Sequence, residues 1–174
     1  MKNIKLKLLS ELLKNSKASD RELAAKLGVS QPTVSRMRAK LEKEGFIKEY
    51  TLIPDFSKLG FEIMAVSFVK FEKELTEPEI GKMYDFADKF LNENPYAFLM
   101  AAAGNGLGYD RLIISLHENY TDFVKFVKAS RAVPLAELAA FDSFTISLSA
   151  KHYQPLTFSA LADYLLTMKQ KPST

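Results

Sequence analysis

Two patterns in the sequence predict an α+β chain built in two parts. Up to about residue 50, apolar residues recur at helical spacing between capping and turn residues. From residue 62 onward, apolar strand-like runs alternate with amphipathic helices. The first pattern predicts an N-terminal winged helix-turn-helix over 1–53. The second, in the order β-α-β-β-α-β, predicts a C-terminal ferredoxin-like domain over 61–150. Residues 54–60 (PDFSKLG) have the turn chemistry of a linker, and 151–174 form a helical tail.

The helix-turn-helix is written in residues 19–45, SDRELAAKLGVSQPTVSRMRAKLEKEG. Ser19 and Glu22 make a capping box, which satisfies backbone donors that the first helical turn leaves unpaired. Leu23, Ala24 and Leu27 form a short apolar face, and Gly28 supplies the left-handed residue that ends the helix. Ser30 is read as the cap of the next helix, with Val29 and Val34 as a hydrophobic staple and Pro32 in the first turn. Within that second helix Val34, Met37 and Leu41 share the inner face. Pro32, Ser35, Arg36, Ala39 and Lys43 fall opposite, flanked by Gln31, Thr33 and Lys40. Short hydrogen-bonding groups at the N-terminal end, followed by bases, suit a recognition helix lying in the major groove. The expected DNA-binding residues are Ser30, Gln31, Pro32, Thr33, Ser35, Arg36, Arg38, Lys40 and Lys43. Arg36 is the candidate base reader, and Arg38 lies toward the buried edge of its helix.

The first helix is expected over Asn3–Asn15, with Ile4, Leu8, Leu9, Leu12 and Leu13 covering the other two. After Gly45, the run FIKEYTLIPDF predicts a short β hairpin or wing. In the second domain, Glu62–Glu72 reads as a strand. Thr76–Leu91 reads as a helix with a Thr76–Glu79 capping box, a buried stripe of Ile80, Met83, Tyr84, Ala87, Phe90 and Leu91, and a stop at Asn94-Pro95. Tyr96–Ala103 and YDRLIISL read as an antiparallel pair joined by a somewhat long loop, GNGLG. Asn119 caps a helix that ends before Pro134, and Phe141, Phe144, Ile146 and Leu148 mark the fourth strand. The tail stripe of Phe158, Leu161, Ala162, Leu165 and Met168 needs an apolar partner, either its own sheet or another subunit.

Charge divides along the same boundary. The chain of 174 residues carries a net +3, but residues 1–50 hold +6 and the remainder −3. A basic first third attached to a mildly acidic remainder suits phosphate binding by one domain only. The sequence has no cysteine, which excludes disulfides and thiolate metal sites. Its two histidines, His117 and His152, cannot by themselves supply a typical zinc site, and no nucleophile–base pair or carboxylate dyad stands out. No bilayer-length apolar run or secretory pattern is visible, so a cytoplasmic chain without membrane contact, cofactor, metal or catalytic residues is expected.

With these residues in view, the chain resembles the Lrp/AsnC family, the feast/famine regulators. The matching residues are RELAAKLGVSQPTVSRMRAKLEKEGFIKEY, the linker ending in Leu59-Gly60, and Gly108-Tyr109-Asp110, which resembles the family's Gly-x-Tyr-Asp. The resemblance implies a transcriptional regulator that binds double-stranded DNA, dimerises through its sheets and often assembles into octamers. It also implies an amino acid or related small effector in the second domain, which places effector contacts at Gly104, Gly106, Gly108, Tyr109 and Asp110. Asp110 is then the candidate for an effector's amino group. The sequence departs from the pattern in the extra glycines at 104 and 106 and in the tail helix. Two alternatives accompany this reading: an architectural protein that coats DNA with little sequence preference, and a sirohaem-decarboxylase-like enzyme of similar architecture.

Overall fold

The computed structural model describes residues 2–93, 97–132, 137–151 and 156–167. It resolves into two compact units, one made of the N-terminal helices with the tail, the other of residues 54–151. The expected helix stop at Asn94-Pro95, Pro134, His152 and the tail position Met168 lie outside the described residues.

In the first unit, α1 (Lys2–Lys14), α2 (Asp20–Leu27) and α3 (Gln31–Lys43) close around one apolar cluster. Leu8 and Leu12 from α1, Leu23 and Ala24 from α2, and Val34 and Leu41 from α3 are buried there, with Leu9, Leu27, Val29, Met37 and Ile47 packed against them. These are the inward faces that helical spacing defines, so apolar burial fixes how each helix is rotated about its axis. The capping box is complete: Glu22 N–H donates to Ser19 Oγ at 3.2 Å and Ser19 N–H donates to Glu22 Oε2 at 2.7 Å. The Ser19 backbone bond, followed by one from Ser19 Oγ at 2.9 Å, holds the Glu22 carboxyl below its ordinary value. Gly28 ends α2 with φ 66° and ψ 35°, a left-handed conformation in which a Cβ is strained.

The tail supplies α6 (Ser159–Thr167), which packs on α1, where Ala162 is fully buried and Lys14 Nζ lies 2.8 Å from Asp163 Oδ1. The stripe meets α1 through Ala162, while Phe158 and Leu161 remain 51% and 43% exposed. The expected hairpin after Gly45 does not form. Residues 46–55 contain no strand, and Phe46 N–H and Ile47 N–H instead donate back to Leu41 O at the end of α3. Only Ile47 of this segment is drawn into the core, and Pro54 removes a donor that a returning strand would need.

The second unit is a four-stranded antiparallel sheet in the order β2-β3-β1-β4. Its strands are β1 (Ile63–Phe71), β2 (Ala97–Gly106), β3 (Tyr109–His117) and β4 (Leu138–Ser147), connected through α4 (Glu77–Glu93) and α5 (Tyr120–Arg131). This is the ferredoxin-like arrangement. Register pairs Val69 with Arg111 and Phe141 on one face, and Val66 with Ile114 and Phe144 on the other. On the first face Ala65, Val69 and Phe141 pack against Phe123 and Phe126 of α5. On the second, Phe144 is 66% exposed and Met100 50%.

Two elements of this unit differ from expectation. The GNGLG run is not a long loop: Gly104 and Gly106 continue β2 through an irregularity in register, and only Leu107 and Gly108 turn. Both have positive φ, 54° and 81°, as a type I′ hairpin turn requires. Helix α4 carries the expected stripe of Ile80, Met83, Tyr84, Ala87 and Phe90, yet none of these is fully buried and Tyr84 is 52% exposed. The helix stands off the sheet instead of closing on it. Its N-terminus is nonetheless well held, since Thr76 N–H and Thr76 Oγ1 both donate to Glu79 Oε2 at 2.8 Å. With Lys73 also within hydrogen-bonding reach, these contacts lower the Glu79 carboxyl to about 2, the Thr76 backbone bond being the largest cause.

Candidate nucleic-acid interface

The outward face of α3 presents Gln31, Pro32, Ser35, Arg36, Ala39, Lys40 and Lys43, all exposed, with Thr33 half-buried at its flank. Arg36 donates from Nε to Pro32 O at 3.3 Å, which aims the side chain back along the first turn while leaving the guanidinium tip in solvent. Lys40 lies 3.5 Å from Glu44, an exposed i,i+4 pair that contributes little to stability. Ser30 occupies the N-cap position with extended backbone, and its carbonyl accepts from Thr33 and Val34. Its side chain does not cap the helix as expected. Ser30 Oγ and Thr33 Oγ1 are hydrogen-bonded to each other at 2.8 Å, forming a paired hydroxyl edge at the start of α3.

Arg38 corrects the expected set. It turns away from the outer face and binds α2, with Nη2 2.8 Å and Nε 2.9 Å from Asp20 Oδ1, and Nη2 donating to Ala18 O at 3.1 Å. Its guanidinium also lies 5.7 Å from the centre of the Tyr50 ring, whose hydroxyl donates to Glu42 Oε1 at 2.8 Å. Burial opposes the Arg38 charge, but the bonds to Tyr50 and Asp20 outweigh it and hold the group above its ordinary value. Arg38 thus ties α3 to the start of α2. Sequence spacing placed it at the helix edge; its partners at 18, 20 and 50 are separated from it by a dozen or more residues and left no local signal.

The residues expected at the effector site are brought together at the β2–β3 hairpin, but their polar atoms are largely engaged within the fold. Asp110 Oδ2 accepts from Phe71 N–H at 2.9 Å, and the Tyr109 hydroxyl donates to Asp142. Gly104 and Gly106 have ordinary backbone φ and nothing within 4 Å of where a Cβ would stand, so neither is required by close approach. Gly108 is required by its turn. His117, the histidine relevant to an enzyme reading, is sealed inside the second unit. Its Nε2 is 2.9 Å from Ser115 Oγ, its Nδ1 3.2 Å from Asp122 Oδ2, and its ring meets Phe123 edge-on and Phe126 at a tilt. Burial pushes the ring below the ordinary histidine value, against the pull of the Asp122 carboxylate.

A family model described as winged helix-turn-helix DNA-binding matches residues 1–48. The regulator LrpC of Bacillus subtilis is 41% identical over 63 residues, covering 36% of this chain and 44% of LrpC. An AsnC family regulator from Agrobacterium tumefaciens shares the fold over 91% of this chain and 97% of its own, with a TM-score of 0.71 at 18% identity. Residues 1–48 are thus similar to a winged helix-turn-helix DNA-binding domain, and the chain shares its fold with an AsnC family regulator. A further fold neighbour is a Neisseria meningitidis regulator solved as an L-Met complex, at TM-score 0.69 and 20% identity over 91% of this chain and 97% of that one. No described helix is long and apolar enough to cross a membrane.

Proposed function

We propose that this chain is an Lrp/AsnC-type, sequence-specific transcriptional regulator that binds operator DNA as a dimer, with α3 as the reading helix. The observation that carries the reading is the face of α3: a hydroxyl pair, Gln31, Ser35 and the Arg36 tip at its N-terminal end, then Lys40 and Lys43 further along. Groups at the N-terminal end of a recognition helix reach base edges, and those further along meet phosphate. Ser30, Gln31, Pro32, Thr33, Ser35, Arg36, Lys40 and Lys43 are assigned to this contact, and Arg38 to its support.

A single helix-turn-helix makes few contacts, so two copies on half-sites about one helical turn apart give the affinity that a regulator needs. The sheet face carrying Phe144, Met100, Val66 and Ile114 is the surface for that pairing, since apolar area of this kind is stabilised by leaving water. The fold neighbour solved with L-Met supports a small effector as well, which we assign to the hairpin end around Gly104, Gly106, Gly108, Tyr109 and Asp110.

Selection of bound duplexes from a random DNA pool at two salt concentrations tests this reading. A roughly palindromic consensus that survives the higher salt is the expected result. Flat recovery of unrelated sequences that vanishes with salt identifies a non-specific coater and overturns it.

A further inference from the structure

The second unit contains a cavity of about 300 Å³ where α4 stands off the sheet. Its walls are apolar and aromatic, with Phe71 from the sheet, Phe126 from α5, and Tyr84 and Ala87 from α4. One cation enters it. Arg111 lies on the helix-facing side of β3, paired in register with Val69 and Ala103, and its guanidinium sits 5.6 Å from the Phe71 ring and 5.4 Å from the Tyr84 ring. Its Nε is buried and has no hydrogen-bond partner. The neighbouring Asp110 is turned to the Phe71 backbone, and Asp88 at the cavity wall is exposed to solvent.

A guanidinium held between two rings inside an apolar cavity is costly, because the rings repay only part of its lost hydration. An arginine fork is suited to binding a carboxylate through two parallel hydrogen bonds. A volume of this size falls at the lower end of small-ligand pockets, and α4 leaves its apolar stripe only half-covered until something fills the gap. From the Arg111 guanidinium on this cavity, its buried Nε without a hydrogen-bond partner, we infer that the second unit binds a small carboxylate with an aromatic or branched apolar body, its carboxylate on Arg111 and its body between α4 and the sheet. This site is separate from the hairpin tip, whose residues 104–110 are not in the cavity lining. The inference stands independently of DNA reading by α3.

The test is titration calorimetry with melting curves on the full chain, using three probes: 3-phenylpropanoate, its neutral amide, and L-phenylalanine. The carboxylate is expected to bind and raise the melting temperature, and the amide to bind about tenfold or more weakly, the loss a charge-assisted bond represents. L-Phenylalanine binding as well as the plain acid identifies an amino acid as the natural source, with Asp88 meeting the ammonium; weaker binding identifies an acid without an amino group. Arg111→Met, which keeps the stem and removes the charge, should abolish the carboxylate preference while leaving the unliganded melting temperature equal or higher. Ala87→Leu fills the cavity from α4 with Arg111 intact, and should block both acid and amide. Equal binding of acid and amide, or carboxylate binding unchanged in both variants, overturns the inference. So does a marked loss of unliganded stability in Arg111→Met, which would make the arginine a structural group held by its two rings.

Discussion

Replacing Arg38 by alanine should damage the helix-turn-helix from within and leave the chemistry of its reading face intact. The side chains of Arg38 and Asp20 are 19% and 23% exposed, so each is mostly but not wholly withdrawn from water. Truncation strands the Asp20 carboxylate and the Ala18 carbonyl and removes the cation from the Tyr50 ring. Breaking a fully buried ion pair costs about 3–5 kcal/mol, whereas an exposed pair contributes about 0–1 kcal/mol. At the burial seen here, a loss of about 2 kcal/mol follows. Arg36→Ala, by contrast, gives up one exposed bond of 3.3 Å and should change stability by no more than about 0.5 kcal/mol. Urea unfolding followed by helical circular dichroism measures both, and the Asp20→Ala partner closes a cycle whose coupling should be about 1–2 kcal/mol. If Arg38→Ala unfolds like the parent chain yet binds DNA as weakly as Arg36→Ala, the positioning role is wrong and Arg38 belongs on the outer face.

Other consequences follow from single features. His117 is buried with a lowered proton affinity, so the unfolded chain takes up a proton near pH 6.5 that the native ring resists. The His117 contribution is complete above that value and is lost as pH falls through the folded value. His117→Gln should therefore flatten stability as pH falls below about 6.5 relative to the parent, and an unchanged slope would contradict the assignment. Leu107 holds φ 54° at a fully solvated turn position that favours asparagine, so Leu107→Asn should stabilise the second unit by about 0.5–1 kcal/mol in the same unfolding assay. Phe144→Asp places charge on the open sheet face and should convert a sedimenting dimer to monomer; a monomeric parent chain would remove the face from the account.

What could be read in the sequence depended on how local its cause was. Helical spacing of Leu8, Leu12, Leu23, Val34 and Leu41 and the Ser19–Glu22 box act within a few residues, so the three-helix core and the end of α2 at Gly28 were legible. The β-α-β-β-α-β order was legible from the alternation of patterns, and strand order then follows from the fold. Arg38 was legible as lying toward the buried edge of its helix, but its partners Asp20 and Tyr50 were not, since no spacing rule connects them to it. Glycine-rich composition suggested a loop at 104–108, but a two-residue I′ turn needs only Leu107 and Gly108, and the other glycines fit an extended strand. The α4 stripe was visible at helical spacing, but periodicity does not report the distance to the sheet. That distance leaves the cavity around Arg111.

The central claim is that α3 reads bases through Arg36 and meets phosphate through Lys43. Its most direct test is a set of binding titrations on the selected operator and its single-base variants, at two salt concentrations, with the parent chain, Arg36→Ala and Lys43→Ala. The account predicts that Arg36→Ala loses about 1–3 kcal/mol of discrimination at one operator position and tolerates every base there. Lys43→Ala should weaken all duplexes alike and reduce the salt slope by about 1. Unchanged affinity and unchanged preference in Arg36→Ala would contradict the assignment of α3 as the reading helix.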